Sequence, residues 1–387
     1  GPVLIDITMD VQKSVIDFEY PEKCEIRSYK PTTKGNYVQV RRVMAALEEA
    51  EKPLICIGGG VFAAHAENEI RELADLMQIP VITTMMGISV FPDDDQLFCG
   101  MIGTHGVKMA NAAVNECDVL FLVGARVGDR AVKTPLALEK TTKIIHIDID
   151  PAEIGKNIGA DLPLVGDAKL VLQQMTELAK PMKHDEWIAH IKTLRGERKY
   201  VEPAKGTVNP RVFIDRLAKK MPANVTVVAD VGQNQIWTCT EYKFRKEGRL
   251  LTSGGMGTMG YSVPAAIGAK MADNSRATVA ICGDGAFQMS FMELATAVQF
   301  GVDIKVVVMT NNRLGMVREL QTNGYHDRQT AVFLDGSPDF IMLGEAYGIP
   351  AMRVYDDDTM EKGIEMLAEH KGICLVEVVV DKDMPTL

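Results

Sequence analysis

Residues 278–312 read TVAICGDGAFQMSFMELATAVQFGVDIKVVVMTNN and predict one βαβ unit. The apolar residues 278–282 have the length of a buried strand. A stretch with helical periodicity follows, and Gly301 stands where a glycine commonly ends a helix. The second apolar run, residues 304–310, predicts a strand parallel to the first, because a right-handed crossover brings both strand ends to one edge of the sheet.

Polar residues follow both of these strands. Gly283-Asp284-Gly285 ends the first strand and Asn311-Asn312 ends the second, with the 25 residues 286–310 between the two motifs. We therefore expect Asp284 and Asn311 to lie side by side at the carboxyl edge of a parallel sheet, where α/β folds bind ligands. Each motif alone is most simply a turn, and their pairing across one crossover is what makes the signal specific.

The chemistry of this pair favours a divalent cation and a phosphate. One carboxylate and one amide oxygen suit Mg²⁺, and glycines before a helix let backbone N–H groups approach an anion. A bare carboxylate about 4 Å from a phosphate charge would be repelled by about 4 kcal/mol at an effective dielectric constant of about 20. A bridging divalent cation is therefore close to required if a phosphate binds at this edge.

Strand–loop–helix alternation occupies two segments and predicts an α/β fold with two doubly wound parallel-sheet, three-layer domains. The expected divisions are an N-terminal linker at 1–35, a central α/β domain at 36–180, a linker at 181–206 and a second α/β domain at 207–387. The predicted strands are residues 53–57, 80–83, 119–123, 143–148, 225–229, 278–282, 304–310 and 374–380. Residues 1–7 are interpreted as a buried strand, and residues 187–194 as a helix within the linker.

Composition narrows the class of protein. Hydrophobic residues make up 47% of the 387, which excludes a disordered chain. Lys and Arg number 42 against 52 Asp and Glu, a net charge of −10 that argues against a nucleic-acid surface. No apolar run approaches the roughly 20 residues of a membrane helix. The seven cysteines form no Cys-x-x-Cys pair, which argues against zinc and indicates a reduced, cytoplasmic protein.

Several motifs together resemble the large catalytic subunit of acetolactate synthase (acetohydroxyacid synthase), a family of thiamine-diphosphate-dependent enzymes. Besides the paired Gly-Asp-Gly and Asn-Asn motifs, they are residues 1–12, GQNQIW at 232–237, LTSGGMGTMG at 251–260, PAAIGA at 264–269 and NRLGMVR at 312–318. The resemblance covers essentially the whole chain.

The resemblance implies a role for individual residues. Asp284, Asn311 and the backbone carbonyl of Arg313 would hold Mg²⁺, with Asn312 as an alternative ligand. Met259 would support the bent thiamine diphosphate, and the alternative for this side chain is simple core packing. The positions that would contact this cofactor are Gly232, Gln233, Asn234, Gly257, Met259, Gly283, Gly285, Ala286, Leu314, Gly315 and Met316.

The central domain of this family commonly holds FAD in a non-redox role. The matching positions are Gly58, Gly59, Gly60, Thr84, His105, Gly124, Arg126, Arg130, Asp148 and Asp167. The family's Arg-Phe-Asp-Asp-Arg is here Arg-Val-Gly-Asp-Arg at residues 126–130, so one carboxylate is absent. A purely structural central domain is the alternative.

The implied reaction is decarboxylation of pyruvate and condensation with a second 2-oxo acid, either pyruvate or 2-ketobutyrate, in branched-chain amino acid biosynthesis. The resemblance further implies a cytoplasmic homodimer or tetramer with a possible regulatory small subunit, and no nucleic-acid or membrane partner. Asn234 stands where the family usually has His. Leu320 stands where many relatives have a Trp that shapes the acceptor pocket.

In this family the activating Glu lies in an N-terminal pyrimidine-binding domain. We expect the chain to be a fragment that lacks this domain and has weak or no synthase activity alone. The alternatives are pyruvate oxidase, glyoxylate carboligase or sulfoacetaldehyde acetyltransferase, which share the metal motif, and a non-catalytic cofactor-binding or subunit-interaction module. A nicotinamide dehydrogenase is disfavoured because no Gly-x-Gly-x-x-Gly opens either domain.

Overall fold

The computed structural model describes residues 3–24, 26–27, 29–196 and 200–387. Within these residues, twelve strands form two six-stranded sheets in which every neighbouring pair is parallel. The first sheet contains β1 Pro53–Ile57, β2 Val81–Thr83, β3 Phe98–Met101, β4 Val119–Val123, β5 Lys143–Asp148 and β6 Leu162–Val165. The second contains β7 Thr226–Ala229, β8 Arg249–Thr252, β9 Thr278–Gly283, β10 Lys305–Thr310, β11 Ala351–Val354 and β12 Cys374–Val379.

The strand orders are β3-β2-β1-β4-β5-β6 and β11-β12-β10-β9-β7-β8. In the first sheet the chain starts near the middle, runs to one edge and returns to build the other half. In the second sheet it starts at β7, beside the edge strand β8, and then builds toward the opposite edge. Both are doubly wound arrangements. The predicted α/β fold class is therefore confirmed. The predicted βαβ unit corresponds to β9 and β10, which pair directly in parallel.

Helices cover both faces of each sheet. The α-helices within the described residues are α1 Met9–Lys13, α2 Tyr37–Glu49, α3 Gly60–Ala63, α4 Glu67–Met77, α5 Lys108–Glu116, α6 Pro135–Leu138, α7 Ala168–Thr176, α8 Asp185–Thr193, α9 Pro210–Lys220, α10 Gln233–Glu241, α11 Ser262–Ala272, α12 Asp284–Gln288, α13 Leu294–Gln299, α14 Gly315–Gly324, α15 Phe340–Ala346 and α16 Asp357–Glu369. Short 3₁₀ helices lie at Met85–Gly87 and Phe291–Glu293.

The central strands are apolar throughout because both of their faces are covered. In β1, Ile55 and Ile57 belong to the core beneath α2, α4 and α7, whereas Leu54 and Cys56 belong to the core on the opposite face. All five residues of β1 are buried. The alternation of side chains along a strand therefore supplies two hydrophobic cores at once. The second sheet repeats this arrangement, with α9, α10 and α16 on one face and α11, α13 and α15 on the other.

Two predictions about segments outside the sheets have different outcomes. The predicted helix of the second linker is α8, and it packs onto the first sheet, where the Trp187 indole N–H donates to the Pro53 carbonyl at 3.0 Å. The predicted strand at 1–7 is wrong for its described part, residues 3–7, where Val3 and Leu4 are 83% and 93% exposed. An apolar run becomes a strand only where a neighbour pairs with its backbone, and none of the described strands does so. Gly1 and Pro2 lie outside the described residues.

Loops from the two sheets meet. A Cβ atom at Gly254, after β8, would lie 2.5 Å from the sulfur of Met86, after β2. Nearby, the Leu250 amide donates to the Ser89 hydroxyl at 2.9 Å, so residues at the carboxyl edge of one sheet contact those of the other. None of the helices in the described ranges has the length and apolar character needed to cross a membrane.

Candidate functional site

Asp284 and Asn311 lie together, as predicted, at the carboxyl ends of β9 and β10. The Asp284 side chain is 2% exposed. Its Oδ2 atom accepts hydrogen bonds from the backbone N–H groups of Asn311 at 3.1 Å and Asn312 at 2.6 Å. Its Oδ1 atom accepts from the Gly285 N–H at 2.8 Å. The expected contact between the two motifs is therefore confirmed, and it is made by the carboxylate of the first motif and the backbone of the second.

Burial raises the pKa of the Asp284 carboxyl to about 6, against the opposing effect of the three backbone N–H groups. The ionised carboxylate is thus poorly stabilised by the protein alone. A cation beside it would offset the cost of desolvation, because a bound metal ion is commonly the largest local charge in such a site.

The oxygen donors at this point match a hard cation. Asn311 Oδ1 accepts from the Arg313 backbone N–H at 3.1 Å, so the amide oxygen faces the turn that follows β10. The Arg313 guanidinium turns away, stacking 4.6 Å from the Phe333 ring centroid and pairing with Asp335 at 2.8 Å. Across the described ranges, no cluster of three or more His, Cys, Asp or Glu side chains could hold a metal ion. A site here would therefore combine one carboxylate with amide and carbonyl oxygens, a set that suits Mg²⁺.

A cleft with a cavity volume of about 130 Å³ opens beside these residues. Among the positions implied for the diphosphate cofactor or its metal, those that line it are Gly232, Gln233, Asn234, Met259, Gly283, Asp284, Gly285, Ala286, Asn311, Arg313, Leu314, Gly315 and Met316. Gly257 does not line the cleft, and a Cβ atom there would meet nothing within 4 Å.

Further residues line the cleft without having been assigned a role in the site from the sequence. They are Val231, Trp237, Met309 and Val317. Trp237 could have been found, because it stands one helical turn after Gln233 on α10 and shares its face. Met309 and Val317 show no signal beyond ordinary apolar periodicity.

Two residues shape the walls of the cleft. The Met259 methyl lies 3.5 Å from the position that a Gly285 Cβ would take, so this side chain reaches the glycine motif. Met259 also packs against the apolar core below, so cleft lining and core packing are both observed. Asp230, which is fully buried, holds the loop that carries Met259: its carboxylate accepts from the N–H groups of Gly260 at 3.0 Å and Ser262 at 2.7 Å. These contacts link residues some 30 positions apart, and no local pattern reveals them.

The ten positions implied for FAD gather at the carboxyl edge of the first sheet. Each follows or ends a strand: Gly58, Gly59 and Gly60 after β1, Thr84 after β2, His105 after β3, Gly124, Arg126 and Arg130 after β4, Asp148 at the end of β5 and Asp167 after β6. The topology thus brings all of them to one edge.

Several of these residues also have partners within the protein. A Cβ at Gly58 would lie 2.1 Å from the Gly124 carbonyl oxygen, so this glycine is required for backbone packing alone. Asp148 accepts from the Asp150 N–H at 2.9 Å, and Asp167 caps α7 by accepting from Leu170 at 3.1 Å.

The cationic and titratable members of this set are more accessible. Arg126 and Arg130 are exposed, and Arg126 reaches within 4.0 Å of a Gly255 Cβ position in the second sheet's loop. Burial lowers the pKa of His105, and Glu319 acts in the opposite direction.

Comparison with known proteins matches both sheets to one family. Residues 40–175 match the family model "Thiamine pyrophosphate enzyme, central domain", and residues 230–378 match "Thiamine pyrophosphate enzyme, C-terminal TPP binding domain". The probable acetolactate synthase large subunit of Methanocaldococcus jannaschii is 39% identical over 98% of this chain and 67% of its own length.

Other relatives carry the same description. The acetolactate synthase large subunit of Corynebacterium glutamicum is 38% identical over 99% of this chain and 63% of its own length. The isozyme 3 large subunit of Escherichia coli is 34% identical over 98% of this chain and 69% of its own length. The chain thus spans about two thirds of the length of these curated relatives. It belongs to the family of acetolactate synthase large subunits, among the thiamine pyrophosphate enzymes.

Proposed function

We propose that this chain binds thiamine diphosphate through Mg²⁺ and contributes that site to an acetolactate synthase. The observation that carries the proposal is the buried Asp284 carboxylate, which accepts hydrogen bonds from the backbone of the Asn311-Asn312 turn at the wall of the cleft. When bound, thiamine diphosphate supplies the nucleophilic carbon at which a 2-oxo acid loses carbon dioxide.

The residues of the cleft would have different roles in binding the cofactor. Asp284, Asn311 and the carbonyl of Arg313 would hold the cation, and the N–H groups beginning α10 and α12 would face the diphosphate. The side chains of Leu314 and Met316 form an apolar wall that would exclude water. Such exclusion strengthens every electrostatic contact inside a site.

We propose pyruvate as the donor and pyruvate or 2-ketobutyrate as the acceptor. Leu320, which stands where many relatives have a Trp, is 60% exposed on α14. A smaller side chain there relaxes the choice of acceptor, because a pocket discriminates one methylene by only about 1–3 kcal/mol. Analysis of the products formed from pyruvate separates this reaction from those of pyruvate oxidase and glyoxylate carboligase.

We further propose that the enzyme is cytoplasmic and functions as a homodimer or tetramer, with a regulatory small subunit. Three exposed methionines support a partner surface: Met256, Met289 and Met292 are 92%, 57% and 54% exposed. The loop that carries Met256 lies against Met289, because a Cβ at Gly260 would be 3.0 Å from the Met289 Cβ. Exposed apolar side chains that lie close together are typical of interfaces.

FAD at the first sheet is a second proposal. The approach of Arg126 toward Gly255 favours a cofactor lying between the loops of the two sheets. The packing of Gly58 on Gly124, which needs no ligand, favours a purely structural role. Flavin absorbance of the purified chain distinguishes the two.

Calorimetric titration of thiamine diphosphate, with and without Mg²⁺, tests the proposed site. We expect metal-dependent binding by the unmodified chain and its loss in Asp284→Ala, because the only carboxylate among the proposed ligands is gone. Asp358→Ala, which removes an exposed carboxylate on α16, is the matched control and should bind normally. Equal binding by Asp284→Ala would refute the assignment of the site.

A further inference from the structure

Glu319, on α14, links the chain's last residues to the proposed cofactor cleft. Its carboxylate accepts hydrogen bonds from the Thr386 backbone N–H at 3.1 Å and from the Thr386 hydroxyl. It also accepts from Gln233 Nε2 at 3.1 Å. Trp237 adds a second link, because its indole N–H donates to the Pro385 carbonyl at 3.2 Å. Residues 384–386 therefore lie across the beginning of α10.

These contacts fix which way the Gln233 side-chain amide points. Its Nε2 group also donates to the Met384 carbonyl at 2.9 Å and to the Thr386 hydroxyl at 3.2 Å. A carboxylate and a backbone carbonyl can only accept hydrogen bonds, so the NH₂ group must face Glu319 and Met384. The Gln233 carbonyl oxygen, Oε1, consequently points in the opposite direction, toward the turn that follows β10.

The orientation of the Gln233 amide in turn influences that of the Asn311 side-chain amide. Asn311 Nδ2 donates to Gln233 Oε1 at 3.4 Å, which leaves Asn311 Oδ1 facing the Arg313 N–H at 3.1 Å. Gly315 provides the space for this contact, because a Cβ there would lie 1.9 Å from Gln233 Oε1. Three side chains in series thus favour the orientation in which Asn311 presents an oxygen to a cation, and the Met384 carbonyl and the Arg313 N–H support the same orientation.

We propose that Glu319 is a positioning residue for the metal site. As a group that only accepts, it orients the amide of Gln233 and, through it, the amide of Asn311, so that an oxygen faces the divalent cation. The inference rests on the proposed metal role of Asn311. Partners outside the first coordination shell commonly change metal affinity by about 10- to 100-fold when they are mutated.

The test is titration of Mn²⁺ alone, followed by electron paramagnetic resonance. We expect Glu319→Gln, which keeps the side chain's size but introduces an NH₂ group, to weaken Mn²⁺ binding by about tenfold and to change the spectrum of bound Mn²⁺. Thr386→Val removes the two hydrogen bonds of the hydroxyl, to Glu319 and from Gln233, but keeps the bond from Gln233 to Glu319, so its affinity for Mn²⁺ should stay within about twofold. Glu365→Ala, an exposed glutamate on α16, is the control for loss of charge.

A rescue variant distinguishes a change in the orientation of the Asn311 amide from a general disruption of the structure. An aspartate at position 311 presents an oxygen in either orientation, so adding Asn311→Asp to Glu319→Gln should restore Mn²⁺ affinity to within about threefold of the unmodified chain. If Glu319→Gln binds Mn²⁺ normally while Asp284→Ala does not, the orienting role is wrong and the proposed site stands. If the unmodified chain binds no Mn²⁺, or Asp284→Ala binds it normally, both proposals fail.

Discussion

The pKa of Asp284 leads to two effects of pH with opposite signs, and both are measurable on the metal-free protein and its Mn²⁺ complex. Burial raises this pKa from 3.8 to about 6 in the folded chain. The folded state therefore binds a proton more tightly than the unfolded state. The stabilisation from this group is fully present below pH 3.8 and is lost as the pH rises through about 6.

The magnitude follows from the shift. For folded and unfolded pKa values of about 6 and 3.8, acidification from pH 8 to pH 5 should raise the free energy of unfolding by about 1.4 kcal/mol through Asp284 alone. Asp284→Asn cannot take up this proton. Urea denaturation of the two metal-free proteins at pH 8 and at pH 5 measures this effect. On acidification, the free energy of unfolding of the wild type should rise by that amount relative to that of Asp284→Asn.

Metal binding should change in the opposite direction, because a cation requires the ionised carboxylate. With a pKa of about 6, about nine tenths of the carboxyls are ionised at pH 7 and about one tenth at pH 5, so Mn²⁺ affinity should fall about tenfold. Mn²⁺ affinity that is equal at pH 7 and pH 5 would refute the reasoning. So would a metal-free wild type that loses stability relative to Asp284→Asn on acidification.

Three further outcomes are expected. Gly315→Ala should lower the affinity for thiamine diphosphate at least about tenfold, because the new methyl group would lie 1.9 Å from Gln233 Oε1 and displace a residue of the cleft. The control is Gly336→Ala, whose methyl group meets nothing within 4 Å and should leave this affinity unchanged. Gly58→Ala should lower the free energy of unfolding by about 3 kcal/mol in urea denaturation, because its methyl would overlap a backbone carbonyl that cannot rotate away; Gly128→Ala, with no neighbour within 4 Å, should change it by less than about 0.5 kcal/mol. If FAD binds the first sheet, the purified chain should show flavin absorbance, and a colourless chain that takes up no added FAD contradicts that proposal.

The strands predicted from sequence are those covered on both faces. Pro53–Ile57, Val119–Val123 and Lys143–Asp148 have the predicted bounds because their interior residues are all buried. The apolar run is continuous in the first two strands and is interrupted in the third only by His146. The four unpredicted strands, β3, β6, β8 and β11, are the four sheet edges. An edge strand has one neighbour and partial exposure, as in Arg249–Thr252, where buried and half-buried residues alternate. Four such residues carry too little hydrophobic signal to stand out from a loop.

The apolar residues 3–7 show the opposite error. Their composition resembles that of a central strand, yet Leu4 is 93% exposed because no strand within the described residues pairs with it. The composition of a segment indicates how much apolar surface it could bury. Whether the segment pairs with another strand depends on the position of the rest of the chain, and a local sequence pattern does not contain that information.

The same distinction applies to the site. The contact between Asp284 and Asn311 was predictable, because adjacent parallel strands place their carboxyl ends together whatever the side chains. The contact of Glu319 with Thr386 was not, because it depends on the path of the chain after β12. The hydrogen bond from the Ser262 N–H to the Asp230 carboxylate likewise joins a strand end to a distant part of the chain. Topological rules locate the centre of the site, and tertiary packing supplies the residues that hold it in place.

The most direct measurement is a crystal structure of the chain grown with Mn²⁺ and thiamine diphosphate, with anomalous scattering used to locate the metal. We expect one strong peak within about 2.5 Å of an Asp284 carboxylate oxygen and of Asn311 Oδ1, with the diphosphate bridged to it. A peak elsewhere, or a diphosphate bound in the cleft with no metal beside Asp284, would contradict the central claim.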